Sequence, residues 1–174
     1  WAKRVFPDLP KEEAVKKLGD AIFHASRVSS EDPIAEWDAH NKNLREKTDW
    51  LNSMNFSSLH YDGPGTSLEV GLADDHEWMG GASEAQNGII CNPNIPSEEV
   101  FTTPHAHRVN GNVCSTKPLS YQGTLIEDIK VEFKDGKIVN ASSSKGENVL
   151  LKVLDSDEGS RRLGEVALVP NSSP

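Results

Sequence analysis

The dipeptide Asp135-Gly136 stands between Val131-Glu132-Phe133 and Ile138-Val139, and it limits the fold more sharply than any other stretch. Two connecting residues that both reach positive φ make the usual turn of a tight hairpin, so the chain must hold an antiparallel strand pair here. A second hairpin is expected from Ser57 to Tyr61, through the turn Asp62-Gly63-Pro64-Gly65, and on through Thr66 to Leu72. Leu125 to Phe133 reads as one longer strand, and Val109-Asn110-Gly111-Asn112-Val113 as a turn followed by a strand.

The first third has a different period. After Pro7-Asp8-Leu9-Pro10, the residues Val15, Leu18, Ile22 and Ala25 recur at helical spacing. A second helix is predicted from Asp32-Pro33, where Asp can cap and Pro suits the first helical position. Its stripe of Ile34, Trp37, Asn41, Leu44, Leu51 and Met54 reads as core. Late in the chain, Glu147 to Leu154 returns to helical spacing, and Asp155-Ser156-Asp157-Glu158 resembles a capping box that opens another short helix ended by Gly164. Val166-Ala167-Leu168-Val169 then reads as a buried strand. The expected architecture is α+β, with N-terminal helices against a largely antiparallel sheet and a late helical pair before a final strand. We read residues 1–174 as a single partial domain, with a helical segment over 1–55 and a strand-rich part over 56–174.

At 174 residues, 36% hydrophobic and 26% charged, the chain is long enough to bury a core. Its formal charge of −9 argues against nucleic acid and anionic membrane surfaces, both of which need a basic face, and favours hard cations as partners. No apolar run approaches the roughly 20 residues of a membrane helix and no leader pattern opens the chain, so a soluble, cytoplasmic protein is expected. Cys91 and Cys114 lack Cys-x-x-Cys spacing and are read as free thiols. The Asn-x-Ser triplets at Asn55, Asn140 and Asn171 are read as chance. Gly63-Pro64-Gly65 does not continue into a dinucleotide loop, and no phosphate-binding loop is present. His76-Glu77-Trp78-Met79-Gly80 begins like a zinc-peptidase helix, but Gly80 stands where the second His belongs. The opening at Trp1 and the ending at Ser172-Ser173-Pro174 suggest a piece of something longer.

Two acidic positions carry the chemistry. In Ile95-Pro96-Ser97-Glu98-Glu99-Val100-Phe101-Thr102-Thr103-Pro104-His105, a β-prone run alternates faces, so Glu98 and Glu99 point opposite ways and Glu99 shares its side with Phe101 and Thr103. A carboxylate turned inward there must meet a cation, a donor or a metal; two solvated carboxylates are the plainer alternative. Glu165 stands at the mouth of the apolar run Val166 to Val169, where site residues often project although solvated strand ends are commoner.

The ordered series Ile95 to His105, Val109-Asn110-Gly111, Ser115-Thr116-Lys117-Pro118-Leu119, Asp157-Glu158-Gly159 and Leu163-Gly164-Glu165-Val166-Ala167-Leu168-Val169-Pro170 resembles the thermophilic metallo-aminopeptidase family of aminopeptidase T, aminopeptidase S and PepS. The likeness runs through nearly the whole chain and includes Gly63-Pro64-Gly65-Thr66. It implies a fragment of an enzyme that hydrolyses N-terminal residues from peptides at a dinuclear metal centre, described with zinc or cobalt. By the same resemblance, Glu99 and Glu165 become metal ligands, in preference to Glu98. It also implies further His and Asp ligands beyond Pro174, a separate N-terminal domain absent here and a homodimer for the full-length protein. The general base is not placed. Two divalent ions about 3.5–4 Å apart carry a charge that carboxylate oxygens offset well.

The residues leave rivals open. His105-Ala106-His107 offers two imidazoles on one side of a strand, a second possible metal site. His24, His40, His60 and His76 receive no role, and Trp37, Trp50, Phe101 and Tyr121 are read as core or pocket wall. The functional alternative is a non-catalytic α+β binding module.

Overall fold

The structure, a computed structural model, describes residues 1–171. In chain order the elements are α1 (Ala2–Val5), α2 (Lys11–Ala25), α3 (Pro33–Met54), β1 (Ser58–Gly63), β2 (Thr66–Leu72), β3 (Ser83–Glu84), β4 (Ile90–Cys91), β5 (Val100–Thr102) and β6 (Pro104–Cys114). They continue with β7 (Leu119–Tyr121), β8 (Thr124–Ile126), β9 (Lys130–Lys134), β10 (Lys137–Ser142), α4 (Glu147–Leu154) and β11 (Val166–Leu168). The class is α+β, with a five-stranded sheet in the order β1-β2-β6-β9-β10 whose neighbouring strands all run antiparallel.

The chain forms two compact units. The first comprises Trp1–Trp50, Trp78–Val100 and residues 168–171 among those described. Its α3 begins as the sequence suggests: the Asp32 carboxylate accepts the Ala35 amide at 3.0 Å, one turn into the helix. The buried stripe of α3 differs from expectation. Leu44 and Leu51 are buried, but Ile34 is 76% exposed and Met54 49%. His40 and Thr48 are buried instead, and His40–Leu44–Thr48–Leu51 follows the helical period. Polar residues can hold that stripe because each has a partner: the His40 ring meets the Ser97 carbonyl and the Thr48 hydroxyl donates to the Arg45 carbonyl. Trp50 is likewise largely exposed rather than core, and Tyr121 is exposed.

The second unit comprises Leu51–Glu77 and Phe101–Ala167. The Asp135-Gly136 turn forms as read, with φ of +50° and +79°, and joins β9 to β10. The Gly63-Gly65 turn likewise joins β1 to β2. Buried Leu68, Val70, Leu72, Val109 and Phe133 line the sheet, and α4 packs against β8 and β10. Short pairs complete the strands: β7 with β8, and β5 with β11, of which Phe101–Thr102 and Val166–Ala167 belong to this unit.

Three expectations are corrected here. Asn110-Gly111 is no turn; it lies inside the eleven-residue strand β6. Gly111 has φ +115°, and a side chain there would collide with the backbone of Ser67, so the glycine serves close strand approach. The long strand over Leu125–Phe133 is broken into β8 and β9, with Asp128 between them at φ +52°. The second late helix is absent: Asp157 accepts the amides of Gly159 and Ser160 at 2.7 and 2.9 Å, closing a turn where a capped helix was expected. The Ser160 hydroxyl, then the Gly159 amide, hold the Asp157 carboxyl below its usual range.

The hairpin yields a test. A methyl group on Gly136 would overlap the Ala106 carbonyl, at a φ that favours glycine. Gly136→Ala is expected to destabilise the protein by about 1–3 kcal/mol or more, read as a lower urea midpoint at unchanged slope.

Candidate metal site

The segment Ser97-Glu98-Glu99 leads into β5, and both of its flanks are fixed within the first unit. The His40 Nε2 lies 2.7 Å from the Ser97 carbonyl oxygen; a carbonyl only accepts, so Nε2 carries the proton and donates. On the other side a Cβ at Gly80 would come within 2.7 Å of the Glu99 carbonyl oxygen, so the absence of a side chain at 80 lets the two backbones meet.

Glu98 is held more firmly still. Arg27 grips it with a two-pronged bond, Nε to Oε1 at 3.1 Å and Nη2 to Oε2 at 2.7 Å. Its Nη1 reaches Glu36 at 3.2 Å. The His40 Nε2 stands 3.7 Å from Glu98 Oε1. Only 14% of the Glu98 side chain and 23% of that of Arg27 are exposed. The Glu98 hydrogen bond raises the Arg27 guanidinium above its ordinary value despite partial desolvation. Arg27 reaches this place from an unusual backbone: it ends α2 at φ +60°, with the Arg27 amide donating to the His24 carbonyl and the Val28 amide to the Phe23 carbonyl. That is a helix stop at which glycine is the usual residue. A cavity of about 100 Å³ is lined by Arg27, His40, Lys47 and Glu98 among others.

Glu99 is different from its neighbour. It is half-buried, and among the described residues it has no hydrogen bond or ion pair. Glu165, in the second unit, is exposed one residue before β11 and is equally unpartnered among the described residues. Among those residues no three His, Cys, Asp or Glu side chains form a cluster able to hold a metal. An unpaired, half-buried carboxylate suits a hard divalent ion, so Glu99 fits the role of a single ligand. The described residues provide at most part of a donor set.

The rival pair is less suited. His105 and His107 lie on β6 with ring centroids 6.0 Å apart, but the His105 Nδ1 accepts the His107 amide at 3.1 Å. A neutral His105 ring then keeps its proton on Nε2, which leaves no free imine nitrogen for a metal. Beside them, Arg108 bonds Asp74 at 2.7 Å.

The model of the family described as Thermophilic metalloprotease (M29) matches residues 1–174. The chain belongs to the thermophilic metalloprotease (M29) family. It is similar to Aminopeptidase T of Thermus thermophilus, 55% identical over 174 residues. Similar too are Aminopeptidase 2 of Geobacillus stearothermophilus at 50% and Aminopeptidase AmpS of Bacillus subtilis at 45%. All of this chain is covered, against 42–43% of each relative. The solved structure of wild-type AmpT from Thermus thermophilus matches with TM-score 0.93 and 53% identity, over the whole of this chain and 42% of that one. The chain therefore spans less than half the length of the relatives it matches.

Within this M29 chain, sequence reasoning located the acidic segment but missed Arg27 and passed over His40. His40 left a signal, since it shares the helical period of Leu44 and Leu51. Arg27 left none, because its partner lies 71 residues away. Asp74 provides a test of the charge pattern next to the histidines. Arg108 hydrogen-bonds its carboxyl and lowers it below the ordinary 3.8, with a smaller contribution from His105. A depressed folded value contributes stability that is present at neutral pH and lost as pH falls through the folded midpoint. Carbon-13 titration of the Asp74 carboxyl is expected to give a midpoint below 3.8 that moves upward in Arg108→Met.

Proposed function

We propose that this chain is part of a metal-dependent aminopeptidase acting on peptides, in which Glu99 and Glu165 are carboxylate ligands of a dinuclear zinc or cobalt centre. Three of the relatives above carry the name aminopeptidase, and the family is a metalloprotease family. The observation that carries the site assignment is the contrast within the acidic pair: Glu98 is neutralised by Arg27, whereas Glu99 is half-buried with no partner among the described residues. Leaving a carboxylate partly out of water without a counter-charge is unfavourable, and a cation relieves it.

Such a centre, when bound, supplies Lewis-acid polarisation of a peptide carbonyl and activation of water near neutral pH. The tasks of this chain are to present anionic oxygens and to fix where they point. Glu99 does so from a segment pinned by His40 and closed in by Gly80. Glu165 does so from the residue before β11, following the exposed Gly164. Carboxylates alone do not distinguish zinc from other divalents, and imidazole favours it. We accordingly place the remaining donors in the part of the full-length protein that the relatives' extra length represents. A cytoplasmic homodimer belongs to the same proposal; among the described residues, no helix is long and apolar enough to cross a membrane.

The experiment is peptide hydrolysis by the full-length protein with cobalt or zinc added. Chelation is expected to abolish turnover and metal to restore it. Glu99→Gln and Glu165→Gln should each lower kcat/KM by more than the roughly 10–100-fold typical of groups that only support a ligand. Unchanged turnover in both variants refutes the ligand assignment, and metal-independent peptide binding without hydrolysis would favour a binding module.

A further inference from the structure

A guanidinium stands beside the acidic pair. Arg27 has no role in the proposed reaction, yet it occupies a backbone conformation unusual for a side-chain-bearing residue and spends both prongs of its fork on Glu98. Its third contact goes to Glu36 and its neighbour His40 holds the Ser97 carbonyl. Two adjacent glutamates are chemically equivalent as metal ligands, so something must decide between them. Burial from β5 onward alternates, with Val100 and Thr102 buried and Phe101 and Thr103 more open. Glu98 shares the parity of the buried pair and Glu99 that of the open pair.

We propose that Arg27 and His40 are positioning residues of the metal centre: Arg27 sequesters Glu98, His40 anchors the Ser97 backbone, and Glu99 is thereby the one of the two glutamates left to take a cation. The inference rests on Glu99 being a ligand. Removing Arg27 would strip Glu98 of its guanidinium, leaving only the His40 Nε2 at 3.7 Å beside it, and free it to compete with Glu99 for the same ion or to draw the segment out of place. Neutralising Glu98 at the same time removes the competitor, so the two changes are expected to cancel. A side chain that merely filled space would show no such cancellation.

The test is calorimetric titration of cobalt chloride into the metal-stripped full-length protein, with thermal melting of the metal-free form to confirm folding. Glu99→Gln comes first and should weaken cobalt binding strongly. Binding like wild type in that variant would overturn the ligand reading and this inference with it. Arg27→Met is expected to weaken cobalt by about 10–100-fold, the usual effect of removing a group that orients a ligand. The double variant Arg27→Met/Glu98→Gln should return to within about threefold of wild type, since the uncompensated carboxylate is gone. Should Arg27→Met fail to fold, Arg27→Lys keeps the cation but loses the fork, and its smaller loss should also be relieved by Glu98→Gln. Wild-type cobalt binding in the Arg27 variants, alongside weak binding in Glu99→Gln, would overturn the positioning role while leaving the ligand reading intact. Failure of Glu98→Gln to relieve the loss would overturn it too, because Arg27 would then act through something other than Glu98.

Discussion

The ion pair between Arg27 and Glu98 is the constraint from which the acidic segment takes its form. A carboxylate with 14% of its side chain in contact with solvent must be matched by a charge or carry a large desolvation cost. The match is a bidentate guanidinium, the geometry in which charge-assisted hydrogen bonds are strongest. Arg27 accepts in exchange a left-handed backbone that costs about 1–2 kcal/mol for a residue with a Cβ. Partly buried pairs of this kind are weak evidence for stability, because apolar replacements often do as well. What an apolar pair could not do is fix the direction of a charged side chain, and direction is what a segment proposed to carry a ligand requires.

Consecutive carboxylates also repel. One guanidinium bonded to Glu98 offsets most of that repulsion, and its additional bond to Glu36 means that the cation is shared by two anions. Counting Arg27 against Glu36, Glu98 and Glu99 leaves a net charge of about −2 in this segment when all three are ionised. One of those surplus charges is that of Glu99, the member with no partner among the described residues, where a divalent ion would balance it.

Local signals in the sequence were legible wherever the chemistry was local. Asp135-Gly136 forced a hairpin because both residues can reach positive φ, and Asp32-Pro33 opened a helix because a carboxylate sat within reach of the Ala35 amide. The errors arose where a residue had two uses. Gly111 has the look of a turn residue, but its missing side chain serves contact with the Ser67 backbone. Asp157 has the look of a cap, but its carboxylate closes a turn on Gly159 and Ser160. Asp128 at positive φ interrupts what apolar content alone would make one strand. On α3 the apolar count pointed to Ile34 and Met54, whereas burial followed His40 and Thr48, whose polar atoms are satisfied by partners that the local sequence does not reveal.

The acidic pair shows the same limit at the site. Alternation allowed one glutamate to turn inward and meet a cation, with two solvated carboxylates as the plainer reading, and parity alone could not say which. The answer depends on Val100 and Thr102 being buried, which gives Glu98 the inward parity, and on a guanidinium delivered from the end of α2, 71 residues earlier. Such a partner is a product of tertiary packing and leaves no periodic trace. For the same reason the inward member of the pair is the poorer candidate for a metal: its charge is already satisfied by the fold, and displacing Arg27 would bury a second uncompensated charge. A resident cation is better served by the outward neighbour, whose backbone is held by His40 and Gly80 while its carboxylate stays unclaimed.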